Sequence, residues 1–350
     1  VSRLVDWNLA RRIAGTGIGD APAAMPGRVD LASAGTRSAA AVLSYTGLKI
    51  GEPLPEPEWV TRREWIDINL RSMQELLAPV ETRLDGFGSG ALAGVASRVL
   101  AAEVGAFVGF ASRHVLGQYE FPLLGGERAP RLVFLGENLG KAAGQLGGKP
   151  EDVLEWVTLH EVTHSVHFAA APWLRTYVGD LARTLLTDSP MRVPVGDILD
   201  RARRLGTSDP RRALAEIRAS DPVSLLAPAE SLETINAVQA AMASVEGYAE
   251  HVMDAAAGEL GPAVATLRAG IERRRENRNP IARLFAWAFG FELKLRQYKD
   301  GKRFCDAVVA EAGIDGLNRA WTDPSSLPVL AELADPEAWV ERVSISPAAA

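Results

Sequence analysis

The chain contains a single cysteine, Cys305, among its 350 residues. No disulfide can form within it, and zinc sites built on two or more thiolates cannot be assembled. This cysteine usage fits a reducing, cytoplasmic setting, which is the expected location. Histidine is also sparse, at five residues, so a metal centre must combine a few imidazoles with carboxylates. Positive charge falls short of negative: 38 Lys and Arg stand against 44 Asp and Glu, a net −6. A general binder of phosphate backbones needs a basic surface, so no nucleic-acid partner is expected. No secretory signal is expected in the first residues, where Arg3, Asp6, Arg11 and Arg12 break up any apolar core. The most membrane-like stretch, Ala91 to Ala111, is interrupted by Arg98 and Glu103 and is rich in Ala and Gly. It reads as a buried helix packed closely through Gly105 and Gly109, and no membrane partner is expected.

Hydrophobic residues make up 47%, which places the chain among globular proteins. The length suffices for one large domain or two lobes. Short helices are expected at 3–14 and 30–46, then a long amphipathic helix from about Glu58 to Leu84 and another over 89–112. Gly117 to Leu124 and Arg131 to Leu135 read as short strands split by the turn Gly125-Gly126. Pro150 opens a new helix, with Glu151 and Asp152 suited to its first turn. Beyond Pro172 the pattern is nearly all helical, with a polar excursion at 206–228 and helices near 229–257, 261–277 and 281–299. The expectation is an α+β, mainly α chain. Its N-terminal lobe, 1–170, holds a small sheet and its C-terminal lobe, 171–350, is helical.

Three of the five histidines fall within eight residues, in His160-Glu161-Val162-Thr163-His164-Ser165-Val166-His167. Histidines at i and i+4 share one helical face and converge on one metal ion. Glu161 stands roughly 100° round the helix, placed to reach a water rather than the metal. The flanks Val153, Leu154, Trp156, Val157, Leu159, Val162, Val166 and Phe168 are apolar. Polar groups in such a helix need partners, and metal coordination by His160 and His164 is a stronger account than paired core histidines. His167 is seven residues from His160, a rise of roughly 10.5 Å, so it reads as a cleft-lining or hydrogen-bonding residue. The best third ligand is Glu246, among Met242, Ala243, Ala249 and Met253. Glu250, one turn on, is suited to accept a hydrogen bond from a ligand histidine. The alternative is that Glu246, Glu250 and Asp254 form a solvated acidic stripe. Tyr248, His251, Arg296 and Tyr298 are chemically able to donate to an oxyanion. Cys305 reads as buried filler and His114 as structural.

The helix WVTLHEVTHSVHF followed by APWLR, the segment SVEGYAEHVMD and the stretch KLRQYKDGKRFCDAVV together resemble the zincin-like DUF2342 family. Its bacterial members are often labelled as hydrolases or as associated with coenzyme F420 biosynthesis. The resemblance runs from about residue 60 to 343. It implies a zincin-like metalloprotease fold and a gluzincin-like site holding one Zn2+ per chain. His160 and His164 match the motif histidines, Glu246 the downstream ligand and Glu250 the acidic residue that orients a ligand histidine. It also suggests that the strand Arg131–Leu135, with Val133, Phe134, Leu135 and Asn138, is an edge strand that pairs with extended substrate. Three functions fit: a zinc-dependent peptidase, a zinc hydrolase of a small non-peptide amide, and a zincin fold kept for binding or scaffolding. An open cleft separates the first two from the third, and a deep narrow pocket favours the second over the first.

Overall fold

The computed structural model describes residues 4–19, 21–24, 29–84, 91–124, 128–146, 149–187, 229–257 and 296–345. The excursion expected at 206–228, the helix expected at 261–277 and most of the one at 281–299 lie outside them.

Helix α1 (Trp7–Ala14) starts on Asp6, whose side chain accepts from Leu9 N–H at 3.0 Å. Helix α2 (Leu31–Thr46) is capped in the same way by Asp30 and stops at Gly47, which takes φ 64°. Such a left-handed residue is costly for any side chain but glycine. The next helix does not begin at Glu58. Pro57–Trp59 is a strand, β1, and helix α3 covers Arg62–Leu84. A capping box fixes that start: Glu64 N–H donates to the Thr61 hydroxyl at 3.1 Å, while Thr61 N–H donates to the Glu64 carboxylate at 2.7 Å.

Helix α4 (Ala91–Ala111) leans on α1 through its glycines, as expected. A β-carbon on Gly105 would lie 2.5 Å from the Ala10 carbonyl oxygen, and one on Gly109 2.7 Å from that of Ala14. The rest of the helix is less enclosed than expected, with only 28% of the apolar window Ala93–Ala111 buried. By length and composition this helix could cross a membrane.

Strands β2 (Gly117–Glu120) and β3 (Arg131–Phe134) complete a three-stranded sheet of order β1-β3-β2. β1 runs parallel to β3, with Glu58 opposite Val133, and β2 runs antiparallel, with Tyr119 opposite Leu132. This overturns the edge-strand expectation for 131–135, because β3 is central and both its edges are taken. Val133, Phe134 and Leu135 are buried at 0%, 0% and 1% exposure. Asn138 is no substrate contact either. Its carbonyl oxygen accepts from the Arg62 guanidinium at 2.9 Å, and its amide donates to the Ser112 and Val115 carbonyls at 2.8 and 2.6 Å.

The period-two alternation of β3 divides the interior. Val133 and Leu135 face a core made with α1, α3 and α4. Leu132 and Phe134 face a larger core shared by α2, α5 (Gly136–Leu146), α6 (Pro150–Ala170), α7 (Trp173–Thr187), α8 (Ala229–Ala256), α9 (Arg296–Asn318) and α10 (Pro336–Ile345). That larger core draws on both halves of the chain. Helix α9 is broken at Gly313, φ 71°.

Helices α8 and α9 approach through small residues. A β-carbon on Gly247 would meet the Gly301 backbone carbonyl carbon at 2.2 Å, and one on Gly301 would meet the Ala243 carbonyl oxygen at 2.0 Å. Gly247 thus serves the contact with α9. Gly247→Ala should cost at least about 1–3 kcal/mol despite alanine's better helix propensity, since neither backbone can yield without moving a helix. Urea denaturation of the variant against the native protein measures this, and an unchanged midpoint would contradict the packing.

Candidate metal centre

Helix α6 begins at Pro150, as the sequence suggests, and is enclosed on nearly every side. His160, Glu161 and His164 are 7%, 7% and 8% exposed. The i, i+4 spacing turns both histidines inward, with their Nε2 atoms 3.2 Å apart. Helix α8 brings Glu246 to the same point. One of its carboxylate oxygens lies 3.9 Å from His160 Nε2 and the other 3.7 Å from His164 Nε2. The three donors lie within 4.8 Å of one another. Ligands at about 2.0–2.1 Å from a tetrahedral zinc stand about 3.3–3.4 Å apart, so the group needs only small adjustments to close on such an ion. The donor chemistry fits as well: two imidazoles and a carboxylate are ordinary zinc ligands. Burial holds the His164 imidazole down to about 4, so its lone pair is free at neutral pH.

Glu161 points elsewhere. Its Oε2 accepts the Tyr119 main-chain N–H of β2 at 3.0 Å. Leu135 N–H donates to the Leu116 carbonyl at 3.0 Å. Leu116 therefore faces β3, and by alternation Gly117 and Tyr119 face outward over α6. Gly117 has a specific reason to be glycine, since a β-carbon there would sit 2.8 Å from Glu161 Cγ and 3.1 Å from the Phe134 ring.

A family model for zincin-like metallopeptidases matches residues 5–340. The chain belongs to the zincin-like metallopeptidase family. A solved structure from Chloroflexus aurantiacus, provisionally described as a hydrolase with a novel fold, is 28% identical. The match covers 98% of this chain and 100% of that one, with a TM-score of 0.73. No curated protein matches. The family implies a zinc cofactor, and together with the solved structure it supports a hydrolase. In this zincin-like chain the His160, His164 and Glu246 group is the candidate site for the ion.

Several other residues singled out in the sequence sit away from that point. Tyr248 is fully buried, and its hydroxyl donates to Asn318 Oδ1 at 2.8 Å. Burial, helped by Cys305 and Tyr45, holds its phenol far above the usual range. It pins α8 to the end of α9 and is not an oxyanion donor. His251 is engaged at both nitrogens, with Nε2 2.7 Å from the Tyr45 hydroxyl and Nδ1 2.7 Å from Asp306. The side chains of Arg296 and Tyr298 lie outside the described residues. Glu250 is half-buried, and its charge helps raise the buried Cys305 thiol, behind desolvation and Asp306. Behind His160 the Nδ1 atom lies 3.0 Å from the Met253 sulfur. The Nδ1 of His114 lies 2.8 Å from the Phe110 carbonyl oxygen.

His167 lines no cleft. It is fully buried among Trp321, Tyr248 and Phe168, with ring centroids 4.0, 4.8 and 5.8 Å away. Among the described residues neither of its ring nitrogens has a hydrogen-bond partner. Desolvation, followed by the neighbouring His164, holds it down to about 3.

Two outcomes follow for metal and for pH. His160→Ala, His164→Ala and Glu246→Ala should each abolish stoichiometric zinc binding, while His167→Leu should keep affinity within about tenfold; metal analysis after dialysis distinguishes them. His167 is neutral when folded and ordinary, near 6.5, when unfolded. The unfolded chain therefore takes up the extra proton, and metal-free stability falls as the pH drops from about 6.5 towards 3. His167 contributes at most about 1.4 kcal/mol per pH unit to that fall. Urea denaturation of native and His167→Leu protein at pH 7, 6 and 5 should show the variant losing less.

Proposed function

We propose that the protein is a zinc-dependent peptidase that uses Glu161 as general base and takes an extended stretch of peptide chain. The observation that carries this reading is the donor group of His160, His164 and Glu246, with Glu161 following His160 on α6 and held at Oε2 by the Tyr119 N–H of β2. Zinc held by Nε2 of each histidine and a Glu246 oxygen would supply Lewis-acid chemistry, acidifying water and polarising a carbonyl. Glu161, held at Oε2 by the Tyr119 N–H, is the group that takes the proton from the attacking water. The hydroxyl joins the acyl carbon and the carbon–nitrogen bond breaks. Glu161 passes the proton to the departing nitrogen and ends the cycle ionised, as it began.

With the Tyr119 N–H held by Glu161, the outward groups left to pair with an extended substrate are those of Gly117 and the Tyr119 carbonyl, and these favour a peptide over a compact amide. A strand edge binds extended chain by backbone pairing, with little demand on side-chain identity. A purely structural ion usually takes four protein ligands, and these three donors with an adjacent carboxylate fit the open arrangement of catalytic sites better.

The test is zinc analysis paired with cleavage of a mixed peptide library. Glu161→Gln should retain zinc and lose about 10²–10⁴-fold in cleavage rate. Loss of the metal in that variant would show Glu161 to be a ligand. Native zinc-loaded protein that leaves every peptide intact but hydrolyses small acyl amides would replace the peptidase reading with the smaller substrate.

A further inference from the structure

The two nitrogens of His160 face opposite ways. Nε2 looks towards His164 Nε2 at 3.2 Å and Glu246 at 3.9 Å, while Nδ1 looks towards the Met253 sulfur at 3.0 Å. A neutral imidazole carries one proton, so if Nε2 offers its lone pair to a metal, Nδ1 must carry the hydrogen. That hydrogen then points at a thioether. Met253 is 4% exposed and lies seven residues after Glu246, two turns along the same face of α8. One helix thus supplies both the third donor and the group behind the first histidine.

We propose that Met253 is a positioning residue of the metal centre, holding His160 as its Nδ1–H tautomer with the ring turned towards the ion. This rests on the assignment of His160 as a ligand. Ligand histidines usually give this hydrogen to a carboxylate, a carbonyl or water, and a carboxylate makes the imidazole a stronger donor. A thioether is a weak, uncharged acceptor. It fixes tautomer and orientation without adding negative charge, so the centre binds its ion less tightly than one backed by a carboxylate and leaves that ion the stronger Lewis acid.

The bland account is that methionine fills a gap, and the two accounts order a pair of variants oppositely. Met253→Leu keeps volume and loses the acceptor, while Met253→Gln keeps the length and offers an amide oxygen. If Met253 positions His160, the leucine variant should bind zinc about tenfold more weakly in chelator competition, and the glutamine variant should stay close to native. Leucine equal to native with glutamine weakened would overturn the proposal in favour of packing. A readout without metal or substitution is the ¹⁵N signature of His160 in the native metal-free protein: the Nδ1–H tautomer is expected, and the Nε2–H tautomer overturns the proposal even if a variant fails to fold. The ligand reading fails separately, if His160→Ala binds zinc as the native protein does.

Discussion

A helix buried on nearly every side cannot carry ionisable groups unless the interior receives them, and α6 sets that requirement for the whole molecule. Each polar group left unpaired there costs about 1–3 kcal/mol. Thr163 answers by donating back to the Leu159 carbonyl at 2.7 Å. Glu161 answers through β2, and His160 through Met253 on one side of its ring. The Thr158 and Ser165 hydroxyls have no partner among the described residues, and the facing pair of Nε2 atoms has Glu246 beside it. Two lone pairs directed at one point repel unless a proton or a cation lies between them, and a divalent cation satisfies both together with the carboxylate. His167, one turn beyond His164, shows the other way of bearing the cost. It is enclosed by aromatic rings, and its charge is removed instead of paired.

That requirement is met by elements whose own positions are set elsewhere. Glu246 reaches the histidines only because α8 is held against α9 by contacts on a different face, where Gly247, Gly301 and Ala243 let the two backbones meet. Tyr248 and Asn318 add a second tie, and Asn318 also donates to the Thr46 carbonyl at 2.8 Å, bringing the end of α2 into the same anchor. On the other side of α6, β2 is steady because β3 holds it, and β3 is itself clamped between β1 and the two cores.

What the sequence showed plainly was whatever depends on spacing within one element. The histidine pair is a matter of four residues on one helix, and the start of α6 follows from a proline and two acids. Glu246 was legible because a carboxylate among Met242, Ala243, Ala249 and Met253 lacks an apolar excuse, although the family resemblance had to separate it from Glu250. Strand order was not legible. It is a non-local property, and β1 is three residues long, hidden in what looked like helix periodicity although Thr61 and Glu64 marked the true start. Tyr248 and His251 misled because a side chain able to donate to an oxyanion is equally able to tie two helices together. Met253 was read only as an apolar neighbour, and no periodicity reveals that a methionine sulfur will face a histidine nitrogen.

Tyr119 escaped the sequence reading for a deeper reason. Its side chain does structural work, with the hydroxyl 3.0 Å from Arg175 and the ring stacked 5.7 Å from Phe168, while Arg175 also reaches Glu52 at 2.8 Å. Burial, opposed in part by Arg175, pushes that phenol up to about 12, so it stays protonated and takes no part as a base. The group that matters to Glu161 is the main-chain N–H, which every residue but proline possesses. The Glu161 carboxylate is therefore held by the course of β2, and what residue identity contributes is room: Gly117 leaves the space that the Glu161 side chain occupies. A side-chain donor can be lost by a single substitution or swing away, whereas this one moves only if the strand does. The constraint that buries α6 thus also fixes the Glu161 carboxylate, because the neighbours that exclude water from the helix are the neighbours that supply the donor.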